Sequence, residues 1–209
     1  METAAADAIY DFVVEDVALS LLAPRSADAL LDAWQENEEP PYWARIWEAA
    51  WGLCRYLYGT PAPGRLLELG CGIGAVGCFA AKLGWQVVMT DYQAEAIRYA
   101  AENLRRNGLA ARLERADWRK FDPEGDFDLV VGSDILYDST NHPILAPLLA
   151  RFLKRGSAVV LADPGRPAAL SFGAEREKEG WKIHLEFMDG PDSTVALYIC
   201  ESERGEYHD

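Results

Sequence analysis

One stretch decides the fold of this chain: Leu66-Leu67-Glu68-Leu69-Gly70-Cys71-Gly72-Ile73-Gly74-Ala75-Val76-Gly77. A short apolar run that carries a single acidic residue breaks into four glycines within eight residues. The chain then continues into Cys78-Phe79-Ala80-Ala81-Lys82-Leu83, a segment compatible with a helix. This order predicts a buried strand, a tight turn and the N-terminus of a helix, an arrangement in which backbone amides can approach a nucleotide-like ligand.

After this stretch, strand and helix patterns alternate along the chain. The predicted strands are 86–90, 112–116, 127–132 and 158–162, the predicted helices are 94–107, 143–153 and 168–179, and the last two strands are 182–188 and 194–200. A reverse-turn sequence joins that last pair of strands. The pattern predicts an α/β fold: a Rossmann-like seven-stranded, mostly parallel sheet with helices on both faces and one antiparallel strand near the edge.

The residues before the glycine-rich stretch predict an N-terminal extension and a helix. Residues 1–41 are expected to form short strands and a helix that pack on the core. In residues 42–57 apolar side chains recur at helical spacing, which predicts one continuous helix. The principal domain is placed at 42–201, and the tail 202–209 is expected to be frayed.

The composition restricts the classes of partner and compartment. A net charge of −14 over 209 residues argues against nucleic acid, because no basic excess is available to neutralise phosphates. A small molecule or a basic protein surface suits this charge. Four cysteines without CxxC spacing, no signal-peptide pattern and no bilayer-length apolar run predict a cytoplasmic protein without a membrane segment, which we expect to be a monomer. No metal-binding pattern is present, and His142 is interpreted as a surface residue.

Two classes of cofactor fit the glycine pattern. Residues 72–77 satisfy the dinucleotide motif G-x-G-x-x-G, and Asp91, which ends the next predicted strand, suits a ribose in either class. Glu68 would repel a pyrophosphate, whereas it tolerates a ligand that carries an ammonium and a sulfonium. Successive strands bring Glu68, Asp91 and Asp117 to one edge, where they suggest contacts to a methionine end, a ribose and an adenine amino group. No second nucleotide half follows, and this absence disfavours a nicotinamide dinucleotide.

These motifs resemble those of a known family. Glu68-Leu69-Gly70-Cys71-Gly72-Ile73-Gly74, Asp91 and Asp117-Trp118 resemble the cofactor motifs of class I (seven-strand) S-adenosylmethionine-dependent methyltransferases. Tyr42-Trp43-Ala44-Arg45-Ile46-Trp47, Ser133-Asp134-Ile135-Leu136-Tyr137 and Asp163-Pro164-Gly165-Arg166 resemble the D-x-x-Y protein lysine methyltransferase-like group, nearest the branch that acts on the electron-transfer flavoprotein beta subunit. The resemblance implies S-adenosylmethionine as the cofactor and 42–201 as the methyltransferase domain. The predicted cofactor contacts are Trp47, Glu68, Gly70, Cys71, Gly72, Asp91, Tyr92, Asp117, Trp118 and Ser133.

The resemblance also implies that Asp134 and Tyr137 face the methyl acceptor, a lysine amine of a protein. Asp134 would capture and orient the ammonium, and Tyr137 would hydrogen-bond the amine or wall the channel. The alternatives are an N-cap or loop contact for Asp134 and simple packing for Tyr137. Arg166 would fix a substrate-facing loop, pair with an acidic residue of the partner or form an intramolecular ion pair.

Three other functions remain open from the sequence. A small-molecule N- or O-methyltransferase would share the fold and the cofactor motifs, because these motifs do not specify the acceptor. A non-catalytic cofactor-binding module would also retain them. A nicotinamide-dependent oxidoreductase is a more distant alternative, since it accounts for the glycines but not for Glu68.

Overall fold

The structure, a computed structural model, describes residues 7–34, 40–61 and 64–201 of the chain. Its first elements are the antiparallel strands β1 (Asp7–Val14) and β2 (Val17–Pro24) and the short helix α1 (Ala27–Asp32). The hairpin packs on the rest of the molecule through Phe12, whose ring centroid lies 4.7 Å from that of Trp51. The tail that we expect to be frayed lies outside the described residues.

The remaining elements build a sheet covered by helices. In chain order they are α2 (Ala49–Gly59), β3 (Arg65–Leu69), α3 (Ala75–Lys82), β4 (Gln86–Asp91), α4 (Ala94–Arg106), β5 (Arg112–Arg115), β6 (Leu129–Ser133), α5 (His142–Arg155), β7 (Ala158–Asp163), α6 (Pro167–Lys178), β8 (Lys182–Asp189) and β9 (Thr194–Glu201). The strand order is β5-β4-β3-β6-β7-β9-β8. All pairings are parallel except those of β9, which runs antiparallel to β7 and β8. The predicted seven-stranded sheet with one antiparallel strand near its edge is confirmed.

Each face of the sheet carries its own apolar cluster, because successive side chains of a strand point to opposite faces. Along β3, Leu66 belongs to the cluster beneath α2, α3 and α4, whereas Leu67 belongs to the cluster beneath α5 and α6. The chain leaves β3 toward β4 on one side and later returns to β6 on the other. The carboxyl end of β3 therefore lies at the topological switch point, where open α/β sheets bind ligands.

The prediction of one helix over residues 42–57 is wrong. The first three residues form a separate 3-10 turn, and α2 begins at Ala49. Two contacts that helical periodicity does not encode stabilise this break. Trp47 Nε1 donates to the Tyr42 carbonyl at 2.9 Å, and Asp134 Oδ2 accepts from the Ala49 amide at 3.0 Å. The residues ahead of α2 consequently cross the carboxyl edge of the sheet instead of packing as a helix.

Two further features of the described residues bear on the earlier expectations. The helices α1 to α6, as far as they are described, do not combine the length and apolar composition that a membrane span requires. His142 is buried rather than exposed, with its Nε2 3.1 Å from the Leu136 carbonyl oxygen. The prediction of a surface histidine is therefore wrong, and the reason is that the loop after β6 folds over the ring.

Candidate active site

A cavity of about 450 Å³ opens at the carboxyl edge of the sheet, around the ends of β3, β4, β5 and β6. Every residue predicted to act at the site lines this cavity: Trp47, Glu68, Gly70, Cys71, Gly72, Asp91, Tyr92, Asp117, Trp118, Ser133, Asp134 and Tyr137. Arg166 borders the same space. The structure thus brings the predicted residues together, and the role of each one stays a prediction.

The turn after β3 forms one wall of the cavity. The Cys71 amide donates to the Thr90 carbonyl at 2.9 Å, which continues the pairing between β3 and β4 into the turn. Gly72 has a φ of +53°, a left-handed conformation that disfavours a side chain. A Cβ at this position would also lie 3.0 Å from the Trp43 carbonyl oxygen. Glycine therefore lets the backbone of this turn lie close to its neighbour and line the cavity.

Asp91, the last residue of β4, is held by backbone amides on both oxygens. Its Oδ2 accepts from the Gly72 amide and its Oδ1 from the Gln93 amide, each at 2.9 Å. Burial raises the pKa of Asp91, and these amide donors oppose the rise. Because a carboxylate oxygen can accept more than one hydrogen bond, the fixed carboxylate can still accept from a ligand hydroxyl.

Glu68 is an acid buried beside the glycine turn. It is 1% exposed, and its Oε2 has no hydrogen-bond partner among the described residues. Burial, reinforced by the nearby charge of Asp91, raises the pKa of Glu68 to about 8, and a backbone hydrogen bond from Gly77 opposes this rise. Helix α3 passes so close that a Cβ at Gly77 would lie 2.5 Å from this oxygen. A buried acid with one unpartnered oxygen is suited to a cationic ligand group.

Another side of the cavity is lined by Asp117 and Trp118, which follow β5 in the chain. Asp117 is engaged by Arg119, whose Nε and backbone amide donate to its Oδ1 at 2.8 and 3.0 Å. These donations lower the pKa of Asp117. Trp118 borders the glycine turn, since a Cβ at Gly70 would lie 3.6 Å from its Cζ2. The Tyr92 carbonyl, at the same side, accepts from Arg115 Nε at 2.8 Å.

Asp134 lies at the opposite end of the cavity, directly after β6. It adopts a φ of +55°, and its backbone amide donates to the Ala162 carbonyl at 2.9 Å. Its Oδ2 accepts from the Ala49 amide, and its Oδ1 pairs with Arg166 Nη1 at 2.5 Å. The same nitrogen lies 2.8 Å from Asp163 Oδ2. Asp134 is not the N-cap of a described helix, but the loop contact left open for it and the intramolecular ion pair left open for Arg166 are both present.

The electrostatics of this cluster are set by two opposing causes. Burial raises the pKa of Asp134, and the hydrogen bond and charge of Arg166 lower it. Two carboxylates, those of Asp134 and Asp163, share one guanidinium, so that the ionised cluster has one excess negative charge. Such a cluster favours a cationic group at this end of the cavity.

Three aromatic rings that line the cavity form a contiguous group. Tyr42 is the central ring: its centroid lies 6.2 Å from that of Trp47 and 5.3 Å from that of Tyr137, with both pairs edge-on. Tyr42 and Tyr137 are 38% and 44% exposed, so the rings lie at the mouth of the cavity. The sequence reasoning did not assign Tyr42 to the site, although its proximity to two tryptophans in the same motif was a usable signal.

Other lining residues were also not assigned to the site. Some of them lie within the quoted motifs, namely Trp43, Arg45, Ile46 and Ile135, whereas others lie outside these motifs, among them Pro40, Gln93, Arg119, Asn141 and Ile144. In the part of the chain that the structure describes, no group of three or more His, Cys, Asp or Glu side chains could hold a metal ion.

The comparison with protein families decides the class of this chain. A sequence model described as lysine methyltransferase matches residues 25–176. The chain belongs to the lysine methyltransferase family. The electron transfer flavoprotein beta subunit lysine methyltransferase of Xenopus laevis is 31% identical over 173 residues, which are 77% of this chain and 67% of that protein. EEF1A lysine methyltransferase 3 of Mus musculus is 33% identical over 168 residues, 74% of this chain and 70% of that protein.

Solved structures agree on the fold. The Pyrococcus abyssi tRNA (uracil-54, C5)-methyltransferase in complex with S-adenosyl-L-homocysteine superposes with a TM-score of 0.63 at 20% identity, over 92% of this chain and 44% of that one. At this identity the likeness concerns the fold alone. Family membership confirms the predicted methyltransferase class, and the superposition confirms the predicted Rossmann-like fold.

Proposed function

We propose that this member of the lysine methyltransferase family transfers a methyl group from S-adenosylmethionine to a lysine amine of a protein. The observation that carries the proposal is the acceptor end of the cavity, where Asp134 and Asp163 share the single guanidinium of Arg166. A lysine side chain arrives as an ammonium, which this excess of negative charge attracts. The family description and the names of the two relatives support the same acceptor.

The residues at the other end of the cavity suit the proposed cofactor. When bound, S-adenosylmethionine supplies a methyl group on a positively charged sulfur. The carboxylate of Asp91 would hold the ribose hydroxyls, and the unpartnered Glu68 Oε2 would balance positive charge near the glycine turn. Trp118 and Asp117 would contact the adenine, with Tyr92 beside them. Trp47, Ser133 and the backbone of residues 70–72 would complete the cofactor wall.

At the acceptor end, Asp134 would orient the lysine nitrogen and help it lose its proton. A protonated amine has no lone pair for the methyl group, and an ordinary carboxylate is a weak base toward lysine. Burial raises the pKa of Asp134 and so strengthens it as a proton acceptor, directly or through water. Burial of the lysine in the same cavity favours its neutral form and so lowers its pKa. The difference between the pKa values of the lysine and of Asp134 therefore becomes smaller.

Tyr42, Trp47 and Tyr137 would form the aromatic part of the acceptor channel. Aromatic faces attract ammonium groups and retain this attraction when the nitrogen gains methyl groups. The rings would thus guide the lysine stem toward Asp134, with Tyr137 able to hydrogen-bond the amine.

We also propose that the protein acts as a cytoplasmic monomer on a protein surface and not on nucleic acid. The net charge of −14 supports a basic partner. All four cysteines are buried and unpaired, which suits a reducing compartment. Size-exclusion chromatography coupled to light scattering tests the monomer, and a species of about twice the chain mass would contradict it.

The acceptor is tested by incubating a lysate with the protein and isotope-labelled S-adenosylmethionine, followed by mass spectrometry of proteins and metabolites. We expect label on lysine residues of one or a few proteins, and no label in a parallel reaction with Asp134→Asn. Label confined to small molecules would mean that the substrate is a metabolite and not a protein. Calorimetry with the cofactor separates a third outcome: binding without any transfer would indicate a non-catalytic module.

A further inference from the structure

The N-terminal hairpin is hydrogen-bonded to α4 by two asparagines. Asn103 Oδ1 accepts from the Leu22 amide at 2.6 Å, and its Nδ2 donates to the Leu22 carbonyl at 3.0 Å. Asn107 repeats the arrangement with Ser20, at 2.9 and 3.0 Å. Each asparagine therefore satisfies both backbone groups of one β2 residue.

Simple geometry explains this match. Residues four apart on a helix are separated by about 6 Å along the axis, and alternate residues of a strand by about 6.6 Å. Asn103 and Asn107 thus occupy the free edge of β2 in the way that a paired strand would. Because unpaired strand edges need covering, this contact accounts for the position of the hairpin on α4.

The two asparagines differ in one respect that concerns the cofactor. The second hydrogen of Asn103 Nδ2 goes to the Ile73 carbonyl, at 2.8 Å. Ile73 lies in the glycine turn between Gly72 and Gly74 and lines the cavity. Asn107 Nδ2 instead donates its second hydrogen to the Asn103 carbonyl of its own helix, at 2.8 Å. Both residues hold the hairpin, but it is Asn103, fully buried, that also holds the turn.

A second connection joins the hairpin to the same turn. The Tyr99 hydroxyl donates to Asp7 Oδ1 in β1 at 2.5 Å. The Tyr99 ring also lies 5.3 Å from that of Trp43, whose carbonyl oxygen is the close neighbour of Gly72. Ile73 is thus held directly by an α4 side chain that bonds to the hairpin, and Gly72 borders Trp43, on which a second such side chain packs.

We propose that Asn103 is a positioning residue of the cofactor site and that the hairpin β1–β2 is a working part of that site. The hairpin fixes the Asn103 amide through Leu22, and the amide fixes the Ile73 carbonyl. The glycine turn then keeps the conformation in which its backbone lines the cavity. The inference rests on the proposed use of this cavity by S-adenosylmethionine or its product, S-adenosylhomocysteine.

The matched variants Asn103→Ala and Asn107→Ala test this role. Both remove two bonds to β2, so both should lower the melting temperature. Asn103→Ala also leaves the buried Ile73 carbonyl without its donor, and we expect its Kd for S-adenosylhomocysteine to rise about tenfold, measured by calorimetry well below the melting temperature. Asn107→Ala should change this Kd less than about twofold. Equal Kd changes in both variants, or none in Asn103→Ala, would overturn the proposal.

Hydrogen exchange on the unaltered protein provides a test that does not depend on a variant folding. S-adenosylhomocysteine should slow exchange of the Leu22 amide, which bonds to Asn103, more than that of the Ser20 amide, because coupling between sites is reciprocal. Unchanged exchange at Leu22 on saturation with the ligand would refute the coupling. If the protein binds the ligand but methylates no lysine, the acceptor proposal fails and this inference stands. If the protein does not bind the ligand, both fail together.

Discussion

The two ends of the cavity are built by different kinds of contact. At the cofactor end, Asp91 is held by the amides of Gly72 and Gln93, which are 19 and 2 residues away in the sequence. At the acceptor end, Asp134 is held by Ala49 and Arg166, which are 85 and 32 residues away. The first end is a local motif of backbone amides. The second is a junction of three separate segments, held by side-chain charge.

This difference suggests that one end of the cavity determines cofactor binding and the other determines turnover. A local backbone cradle can stay the same while the acceptor changes, as expected for a cofactor shared by many enzymes of one fold. A junction of distant segments can be altered by substitutions in any of them. Variants at the two ends should therefore separate cofactor binding from turnover.

The largest expected effect is the loss of turnover in Asp134→Asn. In the proposed mechanism Asp134 orients the ammonium and accepts its proton, so removal of its charge should lower kcat by about 10²- to 10⁴-fold. The amide oxygen of asparagine can still accept from the Ala49 backbone, so the start of α2 should be retained. The Kd for S-adenosylhomocysteine should stay within about threefold of that of the unaltered protein. Undiminished turnover would assign Asp134 a purely structural role.

The next effect in size should be the loss of cofactor affinity in Asp91→Ala. This variant loses two hydrogen bonds from backbone amides to a charged group as well as the proposed ribose contact, and we expect the Kd to rise about 100-fold or more. Asp122→Ala, which removes an exposed partner of Arg155, is the control and should not change the Kd. Calorimetry with S-adenosylhomocysteine measures both. A Kd that Asp91→Ala leaves unchanged would contradict the cofactor assignment.

The local character of one end explains how much the sequence could predict. The glycine turn, Asp91 and the mostly parallel sheet with one antiparallel strand near its edge follow from apolar runs and from motifs confined to adjacent elements. The break in residues 42–57 could not be predicted, because the contact between Ala49 and Asp134 joins distant segments. Tyr42 was missed for the same reason, since its ring meets that of Tyr137 only in the folded chain.

Asn103 illustrates a further limit of pattern reading. The helical periodicity of residues 94–107 depends on apolar side chains such as Ile97 and Leu104, and it gives no information about whether an asparagine is buried. In the structure Asn103 is fully buried, because all of its hydrogen-bonding groups find backbone partners in β2 and in the glycine turn. A buried polar residue satisfied by other segments cannot be distinguished from an exposed one by periodicity.

A smaller effect should follow from Arg166→Gln, which removes the positive charge that pairs with Asp134 and Asp163. Arg166 lowers the pKa of Asp134 against the effect of burial, so its removal should raise that pKa further. If ionised Asp134 is needed for transfer, the acidic limb of the kcat/KM profile should move to higher pH. We expect kcat/KM at neutral pH to fall on the order of tenfold.

The control for this variant is Arg155→Gln, which removes an exposed ion pair with Asp122 and should leave the pH profile in place. A uniform fall in kcat/KM at every pH in Arg166→Gln, without movement of the acidic limb, would instead mean that Arg166 only orders its loop.

The last effect concerns the stability of the cofactor-free protein, and not turnover or affinity, and it depends on Glu68. Its pKa is about 8 in the folded state and near 4.5 in the unfolded chain. At a pH between these two pKa values, Glu68 is protonated in the folded state and ionised in the unfolded state. Its contribution therefore makes the free energy of unfolding fall as pH rises. The slope should be at most about 1.4 kcal/mol per pH unit, and it should level off above pH 8.

Urea unfolding at several pH values, compared between the unaltered protein and Glu68→Gln, measures this slope. The variant keeps the shape of the side chain without a titrating proton, so the contribution of Glu68 to the fall in stability should disappear, whereas the exposed Glu95→Gln should retain it. S-adenosylmethionine should release protons from the unaltered protein at pH 7, because positive charge beside Glu68 favours its carboxylate. S-adenosylhomocysteine lacks the sulfonium charge and should release fewer. If both ligands release equal numbers of protons, the sulfonium does not affect the protonation of Glu68. The carboxylate of Glu68 would then interact only with the amino-acid end of the ligand.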